Sequence, residues 1–383
     1  MKAAGIVAEF DPFHNGHKYL LERVRESGIT HIATAMSGDL TQRGDVSLFD
    51  KQARAICAVK NGADIVIELP PPFSCSCSEV FARAAVKLLA GLGVDMIAFG
   101  SEVTDKALLS ECADISSSLS DNDEIKALTS SGLSYPKAIS EYIKAHYGEE
   151  YSFVFSSPNA TLGVEYIKAA REYKIPDFLP IARGGVSHDS DTANGGFASG
   201  SLLRQMVREN KDISAFTPLE RKSLSPAFIE NMEGHILFTL CQGDTKRLSA
   251  CNDISTQILE SILRLPRNMP TSLSELYERL KCKGVTLARL RRIALFLSAG
   301  LENVGADELN AARVLAFNKR GTQLLQNARG GKIIFDTSLS RIEQSVPKIV
   351  QNINRGAYFR YLCTDKNEHY TNEYTRKITI ERE

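Results

Sequence analysis

The alternation of short apolar runs with amphipathic segments over the first two hundred residues is the feature that most constrains the fold of this chain. The apolar runs have the length of strands, and segments with helical periodicity lie between them. This alternation is typical of a doubly wound parallel sheet, an α/β architecture that binds ligands beyond the carboxyl ends of its strands. The predicted strands cover residues 3–10, 31–36, 64–70, 95–101 and 178–182, and the predicted helices cover residues 17–28, 49–61, 78–91 and 160–174.

The pattern changes twice further along the chain. Residues 103–150 contain acidic, serine-rich turns and a helical piece, and they are predicted to form a helical insertion or lid within an α/β domain of residues 1–204. Beyond this domain the strand signals fade, which predicts a mainly α-helical C-terminal domain over residues 205–349. The segment 350–383 contains the strand-like pieces YFRYLCT and TRKITIE, which the sequence alone does not place.

The charge of the chain is unevenly distributed. The 383 residues carry no net charge, but residues 1–203 hold 18 basic and 26 acidic residues, a balance of −8. The remaining residues hold 28 basic and 20 acidic residues, a balance of +8. A basic second half favours a polyanionic partner, although scattered solvated charges would give the same balance.

The cysteines and the apolar runs of the sequence indicate the cellular compartment of the protein. The eight cysteines are dispersed without a CxxC pair, so they are predicted to be free thiols rather than a disulfide framework. No apolar run approaches the ~20 residues of a membrane span, and no secretion signal precedes the first strand. These observations predict a cytoplasmic protein that does not contact a membrane.

The stretch FDPFHNGH, residues 10–17, joins the first predicted strand to the first predicted helix. His14 and His17 share one face of the first helical turn, where backbone N–H groups lack internal partners. Gly16 lets an anion approach the backbone closely, and the positive end of the helix dipole favours its charge. Two imidazole donors there suit the stabilisation of a leaving pyrophosphate. A metal pair and a structural turn are the alternatives, and neither a GxxxxGK[ST] loop nor a GxGxxG loop occurs.

The order strand, FDPxHxGH, helix resembles the HIGH-type nucleotidyltransferase superfamily, in which the two histidines bind the phosphates of ATP. A second signature of that superfamily has the form ISSTxIR, and this chain has ASGSLLR at residues 198–204. The resemblance implies a Rossmann-like nucleotidyltransferase domain over residues 1–204. The residues that match the second signature are Ser199, Ser201 and Arg204, and those that depart from it are Ala198 and Gly200.

Longer segments sharpen the resemblance. SGDLTQRGDVSLFDKQARA, VIELP, AFGSE, SSPNATLGVEYIKA, IARGG and TLARLRRIALF resemble the bacterial tRNA(Met) cytidine acetate ligase family, in the same order along the chain. Leu40 and Asp45 depart from the family pattern. The resemblance implies an ATP-dependent ligase that converts acetate and ATP to acetyl-adenylate and pyrophosphate. The acetyl group then passes to N4 of the wobble cytidine of elongator tRNA(Met), and AMP is released.

Other functions stay open at this point. A small-molecule adenylyltransferase of the same superfamily is the main alternative, although such an enzyme rarely needs a long basic C-terminal half. An RNA-binding protein that has lost catalysis is a further alternative. An aminoacyl-tRNA synthetase has little support, because no clear KMSKS-like motif occurs.

The chemistry and the resemblance together single out candidate site residues. His14 and His17 are the candidates for catalysis, because charge leaving on pyrophosphate needs preorganised donors. Gln42 and Arg43 are predicted to face acetate or the incoming cytidine, with an ordinary solvated loop as the alternative. Mg²⁺ is expected to accompany ATP, and no ligand spacing predicts a metal site in the protein. The residues expected to bind ATP are Val7, Ala8, Glu9, Phe10, His14, Gly16, His17, Leu20, Gly100, Asn159, Arg183, Ser199, Ser201 and Arg204.

Three of these residues also have a plain structural interpretation. Gly100 is equally typical of a turn, Asn159 of a helix N-cap, and Arg183 of an exposed surface cation. The resemblance raises Asn159 to a nucleotide contact. Gly100, at a strand end, is expected to admit the adenine or ribose because it has no side chain, and Arg183, just past a strand end, is expected to pair with a phosphate or the adenylate.

The basic C-terminal half contains a cluster of cations in KCKGVTLARLRR. Phosphate contacts supply affinity for RNA, whereas sequence-specific recognition needs unpaired bases stacked on aromatic side chains. Tyr358, Phe359 and Tyr361 would supply such side chains, or they belong to a half-buried strand. The residues predicted to contact tRNA are Lys281, Lys283, Arg289, Arg291 and Arg292.

Overall fold

The computed structural model describes residues 1–119, 122–184, 195–220, 224–365, 370–376 and 378–380. Within these ranges eight strands form one sheet. The strands are β1 (Ala3–Ala8), β2 (His31–Ser37), β3 (Ile65–Leu69), β4 (Met96–Ser101), β5 (Asp177–Ala182), β6 (Ala311–Phe317), β7 (Ile334–Asp336) and β8 (Thr379–Ile380).

The strand order confirms the predicted doubly wound sheet. Along the sheet the strands follow the order β5-β4-β1-β2-β3-β6-β7, and β8 pairs with β6. Strands β1 to β5 are adjacent in the sheet, and every pair of neighbours among them is parallel. Because the chain runs from β1 through β2 to β3 and then returns to place β4 on the other side of β1, the winding direction reverses between β1 and β4. This reversal is the point at which open α/β sheets bind ligands.

Helices cover both faces of the sheet and form a separate helical region. The helices predicted over residues 17–28, 49–61, 78–91 and 160–174 are all confirmed. The helices are α1 (Asn15–Glu26), α2 (Lys51–Lys60), α3 (Ser78–Gly91), α4 (Lys106–Ser118), α5 (Asp123–Ser131), α6 (Tyr135–Tyr147), α7 (Glu149–Ser156), α8 (Pro158–Glu172), α9 (Gly200–Arg208), α10 (Glu233–Cys241), α11 (Thr245–Ser249), α12 (Thr256–Arg264), α13 (Leu273–Leu280), α14 (Leu287–Ser298), α15 (Lys319–Asn327), α16 (Leu339–Glu343) and α17 (Pro347–Leu362).

The C-terminal half is mainly α-helical, as predicted, but it also contributes strands to the sheet. Within residues 205–349, β6 returns to the sheet and pairs antiparallel with β3. Its sequence AARVLAF is buried along nearly its whole length, as a strand covered on both faces requires. The strand-like piece YFRYLCT instead lies mostly in α17, whose buried residues Ile349, Ile353 and Ala357 recur every four residues. The other strand-like piece, TRKITIE, contains β8, so that expectation is confirmed.

The apolar residues pack into three clusters. Alternate residues of the central strands enter opposite clusters, such as Ala33 and Ile65 on one face and Ile32 and Val66 on the other. The third cluster is the core of the helical region that α10 to α14 form, and it includes Leu40, which follows β2. Among the helices that the structure describes, none is long and apolar enough to cross a membrane.

Candidate active site

A cleft of about 340 Å³ opens at the carboxyl edge of the sheet, beyond the ends of β1, β4 and β5. Its volume and its position at the reversal of winding are those of a small-molecule site. Every residue expected to bind ATP lines the cleft except Ser201 and Arg204, and Gln42 and Arg43 also line it. A second depression, beside α4 and α7, is lined by four carboxylates and therefore disfavours a polyphosphate. These are Glu102, Asp105, Glu149 and Glu150.

The two histidines cap the N-terminus of α1 reciprocally. Nδ1 of His14 accepts a hydrogen bond from the Gly16 N–H at 3.0 Å, and Nδ1 of His17 accepts one from the His14 N–H at 3.2 Å. The two rings stack with their centroids 3.7 Å apart. A ring nitrogen that accepts a hydrogen bond carries no proton, so each neutral ring has its proton on Nε2. The local backbone therefore selects the tautomer that can donate to a phosphate oxygen.

The residues around the histidines explain the rest of the FDPFHNGH stretch. Phe10 turns the chain out of β1 with φ of 49°, a left-handed conformation that is rare for an aromatic residue and typical of functional sites. Its ring meets the His17 ring edge-on, with centroids 4.9 Å apart. A Cβ atom on Gly16 would lie 2.9 Å from Cε1 of His14. Glycine is thus needed there for the His14 ring to lie over the helix end.

The segment ASGSLLR, which resembles the second signature, contains the N-terminus of α9 at the edge of the cleft. Ser199 is the N-cap of α9, and its hydroxyl accepts a hydrogen bond from the Leu202 N–H at 3.1 Å. Ser201 is exposed and lies outside the lining. Arg204 points elsewhere: its guanidinium lies 2.5 Å from Asp11 and 3.5 Å from Asp45.

The expectation that Arg204 contacts ATP therefore needs correction. Burial opposes the charged form of Arg204, yet the carboxylates of Asp11 and Asp45 raise its pKa. Arg204 also donates to the Val46 carbonyl at 2.8 Å. The side chain ties α9 to the segment that follows β2, because its partners come from that segment and from the FDPFHNGH stretch.

The cleft wall includes Gly100 of β4, Asn159 of α8 and Arg183, the residue that follows β5. Gly100 is inside β4 and not in a turn, so the turn interpretation is wrong. A Cβ atom there would lie 3.7 Å from Arg183, an ordinary contact, so the protein's own packing does not require glycine. Asn159 lies in the first turn of α8 and donates to Glu102 at 2.5 Å. The N-cap of α8 is Ser157, so the N-cap interpretation of Asn159 is wrong.

The backbone of Gln42 holds the Glu9 carboxylate in the wall of the cleft. The Gln42 N–H donates to Oε1 of Glu9 at 2.7 Å, which fixes the carboxylate at the end of β1. Burial raises the pKa of Glu9, and the hydrogen bond from Gln42 and the charge of Arg43 only partly offset this. Arg43 is exposed at the rim.

Sequence reasoning missed a set of buried ions beneath the cleft. Lys51 is fully buried, and its Nζ lies 2.9 Å from Asp39, 2.8 Å from Glu68 and 3.0 Å from Glu373. Burial opposes its charge, but the three carboxylates raise the pKa of Lys51. Arg54 is also fully buried and donates to the Glu9 carbonyl at 2.6 Å and to the Ser37 carbonyl at 3.1 Å. No local signal predicts these pairs, because the partners come from distant segments.

The predicted basic cluster divides into exposed and buried cations. Lys281, Lys283 and Arg291 are exposed. Arg292 is buried, and its Nε lies 2.9 Å from the Asp253 carboxylate. The expectation that Arg292 contacts RNA therefore needs correction, because the apolar side of α14 packs into the helical core and takes this side chain with it. Arg289 is partly buried and donates to the Asp253 carbonyl at 2.8 Å.

The aromatic residues near the C-terminus lie on a helix, so the half-buried strand interpretation is wrong. Tyr358 is half exposed on α17, and its ring stacks on that of Tyr361 at 6.1 Å. Phe359 is buried in the helical core. Arg360 is also buried, donating to the carbonyls of Ser47 and Leu48. Among the described residues, no group of three His, Cys, Asp or Glu side chains is placed to hold a metal ion.

Comparison with known proteins identifies the family of this chain. A family model described as HIGH Nucleotidyl Transferase matches residues 1–373. A tRNA(Met) cytidine acetate ligase from Streptococcus sanguinis (strain SK36) is 33% identical over 339 residues, which cover 86% of this chain and 88% of that protein. The chain belongs to the tRNA(Met) cytidine acetate ligase family. The resemblance expected from the sequence is thereby confirmed.

Further members of the tRNA(Met) cytidine acetate ligase family match to a similar extent. The one from Caldanaerobacter subterraneus subsp. tengcongensis is 33% identical over 350 residues, which cover 86% of each protein. Two crystal structures of Thermotoga maritima TmcAL are each 24% identical to this chain and match over the full length of both chains. The apo form I has a TM-score of 0.86, and form II, bound with alpha-thio ATP, has a TM-score of 0.84. The fold of this chain is the fold of those structures.

Proposed function

We propose that this protein is an ATP-dependent ligase that activates acetate as acetyl-adenylate and transfers the acetyl group to N4 of the wobble cytidine of elongator tRNA(Met). The pair of Nε2–H imidazoles at the N-terminus of α1, inside the cleft, is the observation that carries the ligase chemistry. The names of its relatives support the choice of substrates, and the alpha-thio ATP in one Thermotoga maritima structure supports ATP as the nucleotide. A tRNA substrate would place the reaction in the cytoplasm.

In the first step, ATP would bind with its phosphates at the N-terminus of α1. A carboxylate oxygen of acetate attacks the α-phosphorus, a P–O bond forms, and the bond to the bridging oxygen of pyrophosphate breaks. His14 and His17 donate hydrogen bonds to the oxygens that gain charge, and the helix dipole adds to this stabilisation. Ser199, at the N-terminus of α9, is placed to assist.

The nucleoside would extend from the phosphates along β4 and α8. Gly100 leaves open a surface that the protein's own packing would allow a side chain to occupy. Asn159, oriented by Glu102, offers its amide to the base or ribose. Arg183 stands at the end of β5, where its charge suits a phosphate or the adenylate.

In the second step, N4 of the cytidine attacks the carbonyl carbon of acetyl-adenylate. The C–N bond forms, the bond to AMP breaks, and the amine loses a proton. A base can reach the adenylate only after it leaves the anticodon stack. We place Gln42 and Arg43, at the rim of the cleft, beside acetate and the incoming cytidine.

The tRNA would lie on the basic C-terminal domain, residues 205–349. The exposed cations Lys281, Lys283 and Arg291 are our candidates for its phosphates, with Arg289 at the margin of the same surface. Mg²⁺ would enter as the chelate of ATP rather than as a resident ion of the protein.

Incorporation of isotope-labelled acetate into unmodified elongator tRNA(Met), with and without ATP, tests the proposal. A matched tRNA with uridine in place of the wobble cytidine serves as the control. Labelled N4-acetylcytidine that requires ATP and appears only in the cytidine-containing tRNA is the expected result. A folded protein that binds ATP but labels neither tRNA would refute the proposal and favour a small-molecule adenylyltransferase.

A further inference from the structure

A tight loop connects the cleft to the helical region. We call it the QRG loop; it comprises residues 39–46 and follows β2. Leu40 and Val46 form an antiparallel bridge at its base. The Thr41 N–H donates to the Asp45 carbonyl at 2.9 Å, and the Gly44 N–H donates to the Thr41 carbonyl at 3.0 Å. These bonds hold the loop in one compact conformation.

The two sides of the QRG loop belong to different parts of the molecule. Gln42 and Arg43 line the cleft, and the Gln42 N–H holds the Glu9 carboxylate. Leu40 and Val46 are fully buried in the helical core, in the same apolar cluster as Leu290 of α14. A displacement of the helical region relative to the sheet would therefore move the residues at the rim of the cleft.

At Gly44 the QRG loop lies directly against the backbone of α14. Its φ is 78°, which favours glycine, and a Cβ atom there would lie 2.6 Å from the carbonyl carbon of Arg291. Because that carbon belongs to the backbone of α14, no side-chain rotation can relieve the clash. Only glycine lets the loop rest directly on the turn of α14 that carries the exposed side chain of Arg291.

We infer that Gly44 is a positioning residue for the acetyl-transfer step: it sets the distance between the cationic surface around Arg291 and the rim of the cleft at Gln42 and Arg43. The inference rests on the proposed function and deepens it. Adenylate formation uses groups on β1, α1, β4, α8 and α9 and the acetate side of the QRG loop, all within the cleft, whereas transfer also requires an RNA held outside the cleft to reach its interior. Displacements of about 1 Å between reacting groups are enough to slow a reaction about 100-fold.

The Gly44→Ala variant tests this role, and Gly93→Ala is its matched control. Gly93 has a similar φ of 72°, but a Cβ atom there would meet nothing within 4 Å. Both variants carry the strain of a left-handed alanine, and only the first displaces α14. Acetate-dependent ATP–pyrophosphate exchange without tRNA measures adenylate formation. Single-turnover transfer of labelled acetyl to tRNA measures the second step.

We expect Gly44→Ala to slow transfer about 10- to 100-fold more than it slows exchange, and Gly93→Ala to change neither. Gly356→Ala probes the same loop from α17, since its Cβ would lie 3.3 Å from Cγ of Leu40. This milder variant should slow transfer several-fold, and it decides the question if Gly44→Ala does not fold.

Three results would overturn the inference. Equal losses of exchange and transfer in folded variants would place the loop in the first step. Unchanged transfer in both loop variants would remove the positioning role but leave the proposed function standing. A parent protein that does not acetylate tRNA in the same assay would refute the proposed function itself, and this role with it.

Discussion

Replacement of His14 separates its role as the cap of α1 from its proposed role as a donor to phosphate. Asparagine is among the best N-cap residues, and its side-chain oxygen can accept the Gly16 N–H in place of Nδ1. It has no group that corresponds to Nε2–H. His14→Asn should therefore keep the helix cap and lose the donor, whereas His14→Ala should lose both.

The expected magnitudes follow from these two roles. Loss of one preorganised donor to developing charge costs about 2.7–4 kcal/mol, or about 100- to 1000-fold in the rate of adenylate formation. Loss of an N-cap costs about 0.5–2 kcal/mol of stability. Both variants should thus show the same kinetic loss, and only His14→Ala should show the lower free energy of unfolding.

Acetate-dependent ATP–pyrophosphate exchange measures the kinetic loss, and urea unfolding measures the stability. A filter-binding assay with tRNA serves as the specificity control, because neither variant should weaken tRNA binding. Exchange by His14→Asn within about fivefold of the parent, well short of the loss expected for a removed donor, would refute the donor role. A loss of tRNA affinity in a folded variant would reject the assignment to the phosphates.

Three further predictions concern the charges. Lys51→Met removes the buried cation that Asp39, Glu68 and Glu373 share and should lower the free energy of unfolding by about 3–5 kcal/mol in urea titrations at pH 8. The loss should be smaller at pH 5, because burial raises the pKa of Glu68 and lets its carboxylate take up a proton; a pH-independent loss below about 1 kcal/mol would contradict this. Glu9 has a folded pKa above its usual 4.5, so its ionisation lowers stability as the pH rises through the folded pKa. Glu9→Gln should accordingly unfold at higher urea than the parent at pH 8, with the difference vanishing near pH 4. Arg291→Ala should weaken tRNA binding and reduce the slope of log K against log salt by about 1. The neighbouring Arg292→Ala should instead reduce stability, because it leaves Asp253 without its buried partner; equal salt slopes for parent and Arg291→Ala would remove Arg291 from the interface.

Local features of the sequence were enough to predict the centre of the site. His14, Gly16 and His17 lie within one helical turn, and the capping geometry that orients them involves only neighbouring residues. The parallel sheet was also predictable, because strands buried on both faces must be continuous apolar runs. β6 and β7 were missed because they are short strands within a long helical stretch, and β3, the partner of β6, is far away in the sequence.

The roles of individual cations were decided by tertiary structure alone. Arg204 and Arg292 match motifs that suggest phosphate contacts, yet distant carboxylates pair with both of them. The sequence by itself was enough to predict where an anion would bind, since a helix N-terminus, a glycine and two histidines are local properties. Only the fold decided which charges reach that anion and which stabilise the protein, because burial and long-range pairing depend on segments that meet only after folding. Gly44 shows this dependence on the fold most clearly, since it lies against the backbone of α14, a helix more than two hundred residues away in the sequence.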